Sequence, residues 1–127
     1  MRLGYVIVYV PDVAATVAFY ERAFGLKARF IHESGYAEME TGATALAFAS
    51  EALVSASVPK FTANRRDASP AGVEAGLVVD DVPAAFQRAV SAGCVPVLAP
   101  VQKPWGQTVS YVRDLNGFLV ELCSKVG

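Results

Sequence analysis

The sequence predicts an α+β fold in which one supersecondary unit is used twice, and three observations predict it. Val10-Pro11-Asp12-Val13 opens a helical stretch that stops at Gly25, and Val79-Asp80-Asp81-Val82 opens another that stops at Gly93, an offset of 69 residues in a chain of 127. Self-similarity of this kind marks two copies of one structural unit. Each helix is preceded by an apolar run, Tyr5 to Val10 or Val73 to Val79, that reads as a strand, and is followed by short alternating runs bounded by turn residues. With 54% hydrophobic residues the chain has enough apolar surface for the core of one domain. Function is expected where the two copies face each other.

The elements follow in order. After the strand Tyr5 to Val10, Asp12 is placed to cap a helix by accepting from exposed backbone N–H groups. Val13, Val17, Tyr20 and Phe24 then recur at spacings of 4, 3 and 4, one apolar stripe widened by Phe19 and Ala23 that lies on a sheet. Three short strands follow, about Lys27 to Ile31, Tyr36 to Glu40 and Ala43 to Ala49, separated by turns at Glu33-Ser34-Gly35 and Thr41-Gly42. This makes module one, about 1–50, a strand, a helix and three strands. A connection of roughly 22 residues, Glu51 to Gly72, is rich in Ala, Ser and Pro. It is long for a compact domain, so it reads as a solvated crossover or as a flap over a site in which Phe61, Asn64 and Arg65 close on a ligand. Module two, about 73–127, repeats the order. A strand from Val73 to Val79 leads into a helix with Val82, Ala85, Phe86, Ala89 and Val90 inward. Strands then run over Val95 to Leu98, Thr108 to Val112 and Phe118 to Leu122, the last hairpin turning at Asp114-Leu115-Asn116-Gly117.

Charge and composition exclude several classes. A formal net charge of -1 leaves no basic face for a phosphate backbone, and the Arg65-Arg66 pair is too small to make one, so no nucleic-acid partner is expected. No apolar stretch approaches the roughly 18 residues that span a bilayer, and the chain enters a strand straight after Met1-Arg2-Leu3-Gly4. A cytoplasmic protein without a membrane partner is expected. Cys94 and Cys123 form neither a disulfide framework nor a thiolate metal motif and read as core filler.

Period-two alternation assigns the sheet faces. Val6, Val8 and Val10 point toward the helix, so Tyr5, Ile7 and Tyr9 point away. Glu74, Gly76 and Val78 are their counterparts in the second copy. Leu46 and Phe48 are the bulky side of their strand and Ala45, Ala47 and Ala49 the small side. Phe118, Val120 and Leu122 go to the core, leaving Leu119 and Glu121 opposite. The face away from the helices thus holds aromatic side chains, small ones that leave room, and two carboxylates, the makings of a small-molecule groove. Trp105, the single tryptophan, sits in a Pro-Trp-Gly loop and either walls that groove or packs at the sheet edge. His32, the single histidine, reads as a partly exposed strand residue. Gly106 and Gly117 read as turn residues with unusual backbone angles.

Val10-x-Asp12-Val13, then Phe19-Tyr20-Glu21-Arg22-Ala23-Phe24-Gly25-Leu26, then Pro104-Trp105-Gly106-Gln107, and finally Arg113-Asp114-Leu115-Asn116-Gly117-Phe118-Leu119-Val120-Glu121-Leu122 together resemble the vicinal oxygen chelate superfamily, which includes glyoxalase I, bleomycin-resistance proteins and extradiol dioxygenases. The resemblance covers nearly the whole chain. It implies tandem βαβββ modules that form a curled mixed β-sheet around a cleft, helices on the outer face, and a homodimer. It also implies a metal site with one ligand from the first and one from the last strand of each module, positions that here match Tyr5, Ala47, Glu74 and Glu121. Only Glu74 and Glu121 are ordinary ligands. Ala47 has no donor atom, and Tyr5 would have to lose a proton with a reference pKa near 10. Two carboxylates and waters suit weak binding of Mg²⁺ or Mn²⁺, whereas tight Zn²⁺ or Ni²⁺ sites want imidazoles. No cofactor is therefore required, and a divalent metal is expected to bind weakly if it binds.

Three functions fit these residues. One is a small-molecule-binding protein of the bleomycin-resistance type, with Tyr5, Tyr9, Ala47 and Trp105 around the ligand and no complete metal site. A second is a metal-dependent lyase or isomerase of the glyoxalase I type acting on a carbonyl or vicinal-oxygen substrate, in which Glu74 or Glu121 moves a proton; like-charge repulsion between the two raises the pKa of one. The third, a structural dimer, leaves the burial of paired carboxylates without a reason. The first needs the fewest special assumptions.

Overall fold

Asp12 and Asp81 stand where the two long helices begin, and both do what their position demands. Asp12 is extended (φ -139°, ψ 105°) and its carboxylate accepts from the Ala15 amide; Asp81 (φ -128°, ψ 94°) accepts from the Ala84 amide. Each satisfies an amide that the first helical turn leaves without a partner. The computed structural model describes residues 1–126. They form two compact units, Met1–Ala63 and the chain from Asn64 onward.

In the first unit strand β1 (Tyr5–Val10) leads into helix α1 (Val13–Phe24), followed by β2 (Ala28–His32), β3 (Tyr36–Met39) and β4 (Ala45–Ser50). The sheet order is β1-β4-β3-β2, with β1 parallel to β4 and the remaining pairs antiparallel. A parallel neighbour needs a crossover, and α1 with the β2–β3 hairpin supplies it. Gly25 ends α1 at φ 69°, where a residue with a Cβ is strained. The apolar stripe buries Val13, Val17, Phe19, Tyr20 and Ala23 as the spacing predicts, and Thr16 with them. Its hydroxyl donates to the Asp12 carbonyl at 2.8 Å, which is how a polar group enters the core. The Tyr20 ring lies 4.7 Å from that of Phe48, so Phe48 faces the helix. Val8 and Val10 are buried as expected, but Val6, assigned to the same face, is exposed, because α1 packs on β4 and β3 rather than along all of β1.

The second unit repeats the plan with β5 (Glu74–Val78), α3 (Val82–Ser91), β6 (Val95–Gln102), β7 (Thr108–Arg113) and β8 (Leu119–Cys123), in sheet order β5-β8-β7-β6 with β5 parallel to β8. Phe118, Val120 and Leu122 are buried, as alternation predicts. On α3 only Val82 and Ala89 are buried; Ala85, Phe86 and Val90 are half-buried. Strand β6 runs four residues beyond the expected Leu98, with register irregularities on both sides of Leu98 that absorb Pro96 and Pro100.

The connection is neither a bare crossover nor a free flap. It begins with a short helix, α2 (Glu51–Val54), capped by Ser50. Its far half is fastened to the second unit: Arg113 donates to the carbonyls of Gly117, Arg65 and Ala68, and Arg66 donates to the Gly93 carbonyl at 2.9 Å. Gly117, at φ 89°, is required twice over, since a Cβ there would stand 2.5 Å from the Arg65 carbonyl oxygen. Among the described residues no helix is long and apolar enough to cross a membrane.

Candidate functional site

The two glutamates singled out by alternation do share a face. In the parallel pair β5–β8, Glu121 stands beside Gly76, and Glu74 lies two residues earlier on the same side of β5. The Glu121 carboxyl lies beside Gly76, where a Cβ would stand in ordinary contact 3.7 Å from its Oε1. Burial is the largest cause holding the Glu121 pKa above the usual carboxylate range. A hydrogen bond from its protonated carboxyl to Glu74 and the charge of Glu74 add to this, and Lys103 opposes it. Across the antiparallel pair, Tyr111 stands opposite Glu121, and its phenol is pushed up by burial and by both carboxylates. Tyr111 therefore remains a neutral hydrogen-bond donor at neutral pH. Two carboxyl groups on one face, with a phenol beside them, can accept hydrogen bonds or face a positively charged group.

The first unit carries the matching face without the matching chemistry. Ala45, Ala47 and Ala49 stand beside Tyr5, Ile7 and Tyr9 of β1, and Ala47 and Ala49 stand opposite Glu38 and Tyr36 of β3. The acid of this unit thus comes from Glu38, directly across from Ala47, a residue the sequence reading passed over. Its carboxylate accepts from the Tyr36 hydroxyl at 2.9 Å and lies 4.0 Å from Arg29, which is also paired with Glu40 and donates to the Gly42 carbonyl at 2.7 Å. Burial first, and then the bond to Glu38, push the Tyr36 phenol up to about 12. Register picks out Glu38, Tyr36 and Tyr111, and register is invisible in a single strand's alternation.

Other candidates settle differently. Trp105 does not pack at a sheet edge: it is 61% exposed, and its indole N–H donates to Gln107 Oε1 at 2.9 Å while Gln107 donates to the Ser124 carbonyl. His32 is exposed at the end of β2, its Nδ1 2.5 Å from the Ser34 hydroxyl. Cys94 and Cys123 are buried free thiols, and burial pushes Cys94 up to about 12, which suits filler and not a nucleophile.

With this geometry in view, comparison with known families is decisive. The family model described as the Glyoxalase/Bleomycin resistance protein/Dioxygenase superfamily matches residues 2–122. The chain belongs to that superfamily. The fold of this superfamily member recurs in solved structures. A glyoxalase-related enzyme from Fulvimarina pelagi is 20% identical, with a TM-score of 0.83 over 98% of this chain and 88% of that one. A glyoxalase/bleomycin resistance protein/dioxygenase family enzyme from Burkholderia phytofirmans PsJN is 18% identical, with a TM-score of 0.80 over 98% of both chains. TioX from Micromonospora sp. ML1 is 25% identical, with a TM-score of 0.70 over 98% of both chains. No curated protein matches.

Superfamily members often bind a divalent metal, and the residues here do not fit one well. Of the four corresponding positions, Ala47 offers a methyl group, Tyr5 is an exposed phenol, and Glu121 is hydrogen-bonded to Glu74. Among the described residues no three His, Cys, Asp or Glu side chains gather closely enough to hold a metal ion. No chemical step is routed through a metal below.

Proposed function

We propose that this superfamily member binds a small organic molecule through the Glu74–Glu121 pair, with no complete metal site. The carrying observation is that Glu74 and Glu121 lie on one face of the second sheet, with burial and then Glu74 raising the Glu121 pKa: paired carboxyl groups suit a cationic or hydrogen-bond-donating group. In the same unit as that pair the exposed Trp105 ring offers a face for stacking. A homodimer belongs to this reading, supported by apolar side chains left in solvent on the strands, among them Ile7, Ile31, Val78 and Val97. A cytoplasmic location is part of it as well.

A second reading is favoured by the raised pKa of Glu121. A carboxyl group still protonated above the usual range is placed for general acid–base work, as in a lyase or isomerase of glyoxalase type. In that case Glu121 gives its proton to substrate, is left as the carboxylate, and takes a proton back before the next turnover.

One experiment separates the two. Chelator-stripped protein is titrated with Mg²⁺, Mn²⁺, Ni²⁺ and Zn²⁺ by calorimetry and Trp105 fluorescence, and separately with 9-aminoacridine, a planar aromatic cation, with Glu74→Gln and Glu121→Gln as controls. The binding reading expects the acridine to bind, both variants to weaken it, and no stoichiometric metal uptake up to concentrations on the order of millimolar. Stoichiometric metal binding lost in both variants would transfer the site to the enzyme reading.

A further inference from the structure

We propose that residues 64–70 form a latched strap, held through backbone carbonyls by Arg113 of β7 and by Arg66 of the strap itself, which closes the Arg65–Arg66 bond to trypsin-like proteases and fixes the point where β5 begins. This device goes beyond the small-molecule reading above and does not depend on it.

Every bond of the latch lies within the second unit. The Arg113 side chain leaves the end of β7 and spreads over three carbonyls: Nε donates to Gly117 at 2.9 Å, and one terminal nitrogen donates to Arg65 at 3.1 Å and to Ala68 at 2.5 Å. A guanidinium suits this because its donors form a rigid planar fork, whereas an ammonium is a compact point charge on a flexible stem. The Ala68 amide also donates to the Arg65 carbonyl, at 3.2 Å, and closes the turn. Bare backbone at Gly117 is what lets that carbonyl come so near. At the other end of the latch Arg66 donates to the Gly93 carbonyl at 2.9 Å, just past the end of α3, where helix carbonyls carry partial negative charge.

The result is a basic pair that a protease can see but cannot cut. Arg65 and Arg66 are both exposed, so their side chains are open to an enzyme that reads basic residues. The carbonyl such an enzyme must attack, that of Arg65, is bonded to Arg113 and Ala68 and lies against Gly117. Cleavage there needs the strap to open first. Lys60 is also exposed and lies outside any helix or strand, with no such latch. Past Pro70 the chain runs through Ala71, Gly72 and Val73 into Glu74, the first residue of β5, and β5 is an edge strand paired only with β8. A strand start paired on one side frays unless it is held from upstream, and the strap holds it.

The test is limited trypsin digestion of the full chain read by mass spectrometry, together with amide hydrogen exchange across β5, in the wild type, Arg113→Gln, Arg113→Lys and Arg66→Gln. The wild type is expected to be cut after Lys60 before it is cut after Arg65. Cleavage after Arg65 is expected to speed up roughly 10-fold in Arg113→Gln, the weight of one hydrogen bond to a charged group, and by less in the other two variants. Exchange across β5 is expected to rise with it. Cleavage after Arg88, inside α3, reports unfolding of the whole unit, and should Arg113→Gln show it, Arg113→Lys and Arg66→Gln carry the comparison. Unchanged cleavage after Arg65, or unchanged exchange across β5, in a folded variant overturns the latch, as does a wild type cut first after Arg65. Either failure leaves the Glu74–Glu121 reading standing, since that reading is judged by its own glutamine variants.

Discussion

Glu121 owes its chemistry to burial and to Glu74, which register places on the same face of the sheet. Its pKa is raised in the folded chain and ordinary in the unfolded one, so the folded state holds the proton more tightly. The stability this contributes is complete below the ordinary carboxylate range and is lost as pH rises through the raised folded value. Thermal melts of the wild type are therefore expected to show falling stability from about pH 4 upward, and Glu121→Gln is expected to flatten that slope while melting no lower at neutral pH. A steeper slope in the variant would contradict the shared proton. At this scale alternation was enough to put Glu74 and Glu121 on one face. It had no access to Glu38, Tyr36 or Tyr111, which matter only because a neighbouring strand aligns them with Ala47, Ala49 and Glu121.

Elements begin and end where local chemistry is strong. Both helices start at an aspartate that accepts from an amide of the first turn, Ala15 or Ala84, and α1 stops at a glycine in the left-handed region. Asp12→Ala and Asp81→Ala are each expected to lower the unfolding free energy by about 1 kcal/mol in urea melts, and asparagine at either position is expected to retain most of it. A cost below about 0.5 kcal/mol, the level of a bare surface change, would mean that packing alone holds the helix start. Strand ends were less legible. Strand β4 begins at Ala45 and not Ala43, and β6 runs on to Gln102 past Leu98, because a strand lasts as long as its partner does. The connection shows the same limit. Its Ala, Ser and Pro content suggested a solvated crossover, and most of it is exposed; what the content did not reveal is that the Arg113 guanidinium ties its far half down through carbonyl groups, and a carbonyl carries no residue identity.

For the molecule as a whole, the exposed apolar strands are the feature that needs an answer. Ile7 and Ile31 in the first unit and Val73, Val78 and Val97 in the second stand in solvent in a single chain, although such surface gains by leaving water. The proposed homodimer would cover part of it. Sedimentation at micromolar concentration is expected to give a species of twice the 13.4 kDa chain, and Ile7→Glu or Ile31→Glu is expected to shift it toward the monomer. A wild-type protein that sediments as a monomer would remove the dimer from the functional reading.

By itself the sequence determined the repeat, the order of elements, the caps and the apolar stripes, because these rest on spacings along one strand or one helix. The family followed from motifs spread over the same spacings. Tertiary structure alone decided that burial and Glu74 raise the Glu121 pKa, that Glu38 supplies the acid Ala47 lacks, and that Phe61 stands on Tyr9. Each of these needs two stretches distant in sequence to be brought side by side. Their chemistry is set by burial and by neighbours a few ångströms away, and strand register, which no local pattern encodes, chooses those neighbours.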